Sequence, residues 1–390
     1  MKIEAFRVDV SDDALTDLQD RLARTRWPGD FANEQWAYGT QGTYLKELVE
    51  HWRTRYDWRQ HEAAINAVPQ FLTQIDGLPI HFQHIRGKGP KPMPLILNHG
   101  WPWTFWDLHK MIGPLSDPAA HGGNPRDAFD IVVPSLPGYG FSTPLTTPGI
   151  NYWNTADLWV KLMERLGYPR FATQGGDWGA LVSAQLGHKY ADRLIGAHFT
   201  LMLPLDFAAG GKGGGPAPAD FTPAEMDFRA HTAHFFGAEA GYYFLQTTKP
   251  QTLAFALNDS PVGLLSWILE KRRTWSDCNG NVESRFSKDD LITNVMIYWI
   301  TQSYGTSARY YYEALHNVWK PAHARMPVVE TPTAIAVFLK EVILQPRRWA
   351  ERYYNLKRWT VFESGGHFAP MEEPQVMVED IRTFFRELRT

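Results

Sequence analysis

Thr173-Gln174-Gly175-Gly176-Asp177-Trp178-Gly179-Ala180 joins a short apolar stretch to a helix-forming one, with Asp177 held between glycines at the turn. Gly175 and Gly179 stand two residues before and two after the acid. That spacing is what a sharp strand-to-helix turn needs when it presents one side chain at its apex, because flanking side chains would collide. An aspartate there is a candidate nucleophile. Attack by its carboxylate on an alkyl carbon makes an ester whose carbonyl belongs to the protein, and water can then cleave it. Such chemistry suits epoxides or alkyl halides rather than acyl substrates. A plainer role, Asp177 capping the helix that follows, fits the same eight residues.

The flanking sequence tells these apart. Residues 171–174 form the strand entering the turn, and Leu181, Val182, Ala184, Leu186 and Gly187 make the next helix apolar on several sides, as a helix against a sheet should be. Upstream, strands are expected at 71–75 and 78–85, joined by an Asp76-Gly77 hairpin turn, then at 95–97 and 131–134, with a helix at 155–167. Further strands fall at 197–201, 333–338 and 360–362, and a helix at 376–388 closes the chain. Strand alternating with helix predicts an α/β fold with a mostly parallel central sheet covered on both faces.

The alternation breaks near Pro204. Residues 208–218, rich in Gly and Pro, read as a flexible loop. Helices are then expected at 223–236, 238–247, 262–275, 288–304 and 307–316, a helical cap inserted into the α/β core. Before the core, residues 11–26 form a helix capped by Ser11, and another lies at 44–56. The remainder of 29–68 is an aromatic, irregular meander that packs over another domain. The division expected is 1–84 for this N-terminal extension, 85–204 and 321–390 for the two parts of the core, and 205–320 for the cap.

Composition limits the function classes. The 390 residues are 44% hydrophobic and 14% aromatic, ample for a large core, and Lys+Arg 39 against Asp+Glu 42 gives a net charge of −3. Nothing in that balance points to nucleic acid or an anionic membrane. The single Cys278 excludes an internal disulfide and a Cys-rich metal site. With no signal-peptide pattern at residues 1–9 and no run of eighteen apolar residues, the expectation is a soluble, cytoplasmic protein without a membrane anchor.

Asp177 needs partners. His367 follows Gly365-Gly366 just after a late apolar strand, and the order nucleophile then histidine is that of a hydrolase triad built on such a turn. Glu341, soon after the strand at 333–338, is the best-placed acid to orient it. Glu363 lies within the strand leading to His367, and Glu330 precedes the strand at 333–338. Two backbone N–H donors for an oxyanion are expected from Trp178, next to the nucleophile, and from Trp101 in the loop His99-Gly100-Trp101-Pro102. Opening an epoxide also needs a proton donor, which a tyrosine with its ordinary pKa near 10 supplies. Tyr242 and Tyr243, or Tyr310, Tyr311 and Tyr312, offer it, and residue chemistry alone does not choose among them.

His99-Gly-Trp-Pro102, Ser135-Leu-Pro-Gly-Tyr-Gly-Phe-Ser142, Gly175-Gly-Asp-Trp-Gly179, Lys249-Pro250, Leu257-Asn-Asp-Ser-Pro-Val-Gly263, Ile297-Tyr-Trp299 and Gly365-Gly-His-Phe368 together resemble the microsomal-type epoxide hydrolases of the α/β-hydrolase superfamily. The resemblance spans nearly the whole chain, including the N-terminal extension. It implies Asp177 as nucleophile, His367 as base, Glu341 as its acidic partner, and Tyr242 and Tyr311 as the ring-opening tyrosines. No cofactor or metal is implied; the partners are an apolar epoxide and water, and a homo-oligomer stays open. The sequence departs from the family at Trp103-Thr104, where Gly-Ser is common, and at Leu339, where a proline often precedes the acid. Membrane-type members carry an N-terminal anchor, which is not carried over. The expected activity is conversion of an epoxide to a vicinal diol. Haloalkane dehalogenation, with the same nucleophile, and a non-catalytic ligand-binding protein on a hydrolase fold are the alternatives.

Overall fold

Nine strands form one sheet in the computed structural model, which describes residues 2–207 and 215–389. They are β1 (Glu4–Phe6), β2 (Gln70–Ile75), β3 (Leu78–Ile85), β4 (Met93–Asn98), β5 (Phe129–Pro134), β6 (Phe171–Gly175), β7 (Leu194–Phe199), β8 (Val329–Lys340) and β9 (Tyr354–Gly366). The spatial order is β1-β2-β3-β5-β4-β6-β7-β8-β9. Pairing is antiparallel from β1 to β5 and parallel from β5 through β4 to β9. The α/β fold with a mostly parallel sheet is therefore present. Its centre is dry: Leu95, Ile96, Leu97, Ile131, Val132 and Val133 are fully buried, as continuous apolar strands covered on both faces must be. The β2–β3 hairpin turns on Asp76 and Gly77, both at positive φ. Since β4, β6, β8 and β9 run parallel, the loops after them open at one end of the sheet.

Between β7 and β8 the described residues contain helices and no strand: Met226–Ala238, Gly241–Thr248, Pro250–Asp259, Pro261–Thr274, Lys288–Ile300 and Tyr304–His316. Of the expected Gly/Pro loop, residues 208–214 lie outside the described residues. The helix expected over 288–304 stops at Ile300, because Gln302 takes φ +50°, and a new helix starts at Tyr304. Pro250–Asp259 was not anticipated, although Pro250 occupies the first turn, where proline is tolerated. Residues Trp58–Asn66, read as irregular, are helical under an Asp57 cap.

The N-terminal meander ties the cap to the sheet. Leu18, Leu22, Leu48 and Trp52, on the helices Asp12–Ala23 and Gly42–Thr54, are buried. Toward the cap, Arg21 pairs with Asp259 at 2.6 Å, His51 with Asp289 at 2.7 Å, and Thr40 Oγ1 donates to the Ser266 carbonyl at 2.7 Å. Toward the sheet, β1 pairs with β2 and extends the edge, while within the meander Asn66 exchanges two 2.8 Å hydrogen bonds with the backbone of Val8.

Candidate active site

The turn after β6 is as tight as its glycines require. A Cβ on Gly175 would sit 2.1 Å from the Gly179 carbonyl oxygen, and one on Gly179 2.3 Å from that of Asn98. Asp177 at the apex has φ +49°, a region that non-glycine residues rarely occupy and that marks stored strain. It precedes the helix Trp178–Lys189, yet its side chain makes no capping hydrogen bond. Instead the Trp101 N–H donates to Asp177 Oδ1 at 2.7 Å. The plainer reading of Asp177 as a helix cap therefore does not hold. Trp178 is the first residue of that helix, where backbone N–H groups have no intrahelical acceptor.

His367 follows β9 directly and is fully buried. Its Nδ1 is 2.6 Å from Glu341 Oε1, and its Nε2 is 3.4 Å from Asp177 Oδ2. Glu341, immediately after β8, is itself buried, and its Oε1 also accepts the Val342 N–H at 2.7 Å. Burial alone would lower the imidazole pKa, but the Glu341 carboxylate, then Asp177, overcome this and push it up to about 10. Glu363 lies within β9, and Glu330, second in β8 rather than before it, pairs with Arg325 at the far end of that strand. Neither competes with Glu341.

Tyr242 and Tyr311 come from separate cap helices, their rings 5.8 Å apart and edge-on. Trp101 stacks on Tyr242 at 5.0 Å, and Trp178 meets Tyr311 at 4.6 Å. Both tyrosines and Asp177 line one pocket, walled by Leu181, Leu201, Leu203, Phe235, Phe236, Val342 and Ile343. Burial, then the Asp177 carboxylate, raises the Tyr242 phenol well above its ordinary pKa. For Tyr311 the causes are burial, then Tyr242, then Asp177. Both stay protonated. Tyr310 points elsewhere, its hydroxyl 2.8 Å from Thr155 Oγ1.

Several residues behind the site had no signal in the sequence. Arg272 Nη2 pairs with Asp107 Oδ1 at 2.6 Å, both nearly fully buried, and donates to the Pro102 carbonyl at 3.3 Å, so a cap helix holds the Trp101 loop. Glu372 accepts the N–H groups of Asp277, Gly366 and Phe368 at 2.7, 3.1 and 2.9 Å, bracing the His367 loop. Its burial raises its pKa to about 7 against those donors. Trp103, at one departure from the family pattern, packs 5.5 Å from the His367 ring. His99 is structural: its Nε2 accepts the Leu136 N–H at 3.0 Å, joining two loops.

A sequence profile described as "Epoxide hydrolase N terminus" matches residues 3–108, and one described as "alpha/beta hydrolase fold" matches 93–374. Epoxide hydrolase 1 of Oryctolagus cuniculus is 38% identical over 408 residues, covering 98% of this chain and 88% of its own. The chain belongs to the epoxide hydrolases of the α/β-hydrolase superfamily. Solved members of this family share its whole architecture. The juvenile hormone epoxide hydrolase of the silkworm Bombyx mori superposes with a TM-score of 0.87 at 29% identity, covering 100% of this chain and 95% of that one. The Aspergillus niger epoxide hydrolase gives 0.85 at 27% identity, covering 100% and 97%. Among the described residues no single helix is long and apolar enough to cross a membrane, and no His, Cys, Asp and Glu cluster could hold a metal ion.

Proposed function

We propose that the protein hydrolyses an apolar epoxide to a vicinal diol through an ester on Asp177. The observation that carries this reading is the pairing across one apolar pocket of an uncapped, strained Asp177 with two protonated tyrosines. With Oδ1 held by the Trp101 N–H, Oδ2 attacks an epoxide carbon while the tyrosines hydrogen-bond the ring oxygen. Ester formation discharges Asp177, which removes one of the charges raising His367. The imidazole then loses its proton and serves as general base, with Glu341 fixing its orientation. Water activated at Nε2 attacks the Asp177 carbonyl carbon, and the Trp101 and Trp178 N–H groups stabilise the oxyanion. A departing halide needs no proton, so the paired tyrosines favour an epoxide over a haloalkane.

A single turnover in ¹⁸O-labelled water tests the scheme. The label should enter the Asp177 carboxylate and be absent from the first diol released. Label found in that first diol means direct attack by water on the epoxide and rejects the ester.

A further inference from the structure

Lys271 is a buried cation to which the two-step scheme gives no task. It lies on the cap helix Pro261–Thr274 and is 2% exposed. Its Nζ pairs with Glu270 Oε1 at 2.7 Å and also stands over three rings, 5.0 Å from Trp267, 5.6 Å from Tyr242 and 6.0 Å from Trp275. An ammonium over an aromatic face is attracted by the ring quadrupole, more strongly where water is excluded. Of these rings only Tyr242 lines the pocket with Asp177. Tyr311, which lines the pocket as Tyr243 also does, is surrounded by the rings of Trp101, Trp178, Tyr242 and Tyr243. Among the described residues no Lys or Arg charge is seated over it. Of Tyr242 and Tyr311, only Tyr242 thus has a cation at its ring face.

We infer that Lys271 makes Tyr242 the tyrosine that gives its proton to the epoxide oxygen, leaving Tyr311 to donate a hydrogen bond to the same atom. This rests on the proposed function. As Asp177 Oδ2 bonds to the epoxide carbon, the electron pair of the breaking C–O bond passes to the ring oxygen, which takes the Tyr242 O–H proton. Tyr242 becomes a phenolate whose charge spreads into the ring. The attraction of Lys271 grows as the proton leaves, so it is greater in the transition state than in the ground state. That counters the burial which otherwise makes the phenol a weak acid. The proton shed by His367 on ester formation reaches the phenolate through solvent and restores it, so charge balances before water attacks.

Lys271→Met in the wild-type, Tyr242→Phe and Tyr311→Phe backgrounds tests this, with the alkylation rate of styrene oxide read by rapid quench. Removing the cation should slow alkylation about tenfold in the wild type and in Tyr311→Phe. It should have no further effect in Tyr242→Phe, leave ester hydrolysis unchanged, and be largely rescued by Lys271→Arg. Equal slowing in both tyrosine backgrounds, or none in the wild type, overturns the inference. A second measurement needs no change at Lys271: Tyr242→Phe should slow alkylation more than Tyr311→Phe, and the reverse order overturns it. Wild type that forms no ester at all rejects the proposed function; ester formation indifferent to Lys271 rejects only this inference.

Discussion

At the scale of single residues, the site depends on charge held where water is scarce. His367 lies between two carboxylates, and its imidazole is raised from 6.5 to about 10 because Glu341 and Asp177 outweigh burial. A folded-state value above the unfolded one means that this stabilisation is complete below about pH 6.5 and is lost as pH rises through about 10. The stability advantage of wild type over His367→Gln should shrink across that window in denaturant titrations. Asp177→Asn, which imitates the discharged ester, should lower the imidazole pKa in an NMR titration. An unmoved value would mean that Asp177 does not raise the His367 imidazole. The sequence already pointed to Asp177 and His367, because glycine spacing and chain order are local signals. It did not reveal whether the Asp177 side chain capped its helix, since that depends on the Trp101 N–H, 76 residues away.

At the scale of elements, four parallel strands, β4, β6, β8 and β9, deliver Trp101, Asp177, Glu341 and His367 to one end of the sheet. These strands were legible as apolar runs bounded by turns. The helix break at Gln302 and the helix Pro250–Asp259 were not, because cap helices are apolar on several sides and their ends are set by packing. The Arg272–Asp107 pair was equally hidden: its partners are 165 residues apart and neither belongs to a motif. It joins a cap helix to the Trp101 loop, with Asn294 also donating to Asp107 at 3.1 Å. Arg272→Met leaves a buried carboxylate unpaired and should cost about 3–5 kcal/mol. Ester hydrolysis should slow as well, because the Trp101 N–H loses its support. A melting temperature and hydrolysis rate equal to wild type would show that the loop holds itself.

At the scale of the whole molecule, the N-terminal meander bridges cap and sheet, through ion pairs to the cap helices and the pairing of β1 with β2. The sequence indicated that this segment packs over its neighbours, but not that β1 fastens it to the sheet edge or that Asn66 ties it back to Val8. Those contacts join residues distant in the chain and carry no periodicity. Intact mass reports most directly on the central claim, a covalent ester on Asp177. On the proposed scheme, His367→Gln keeps the alkylating half of the site and lacks the base that releases the product. On mixing with styrene oxide, the intact variant should gain the mass of one epoxide, with the added mass mapping to the peptide that contains Asp177. Diol formation by this variant without any adduct, or an adduct on another residue, would contradict the account.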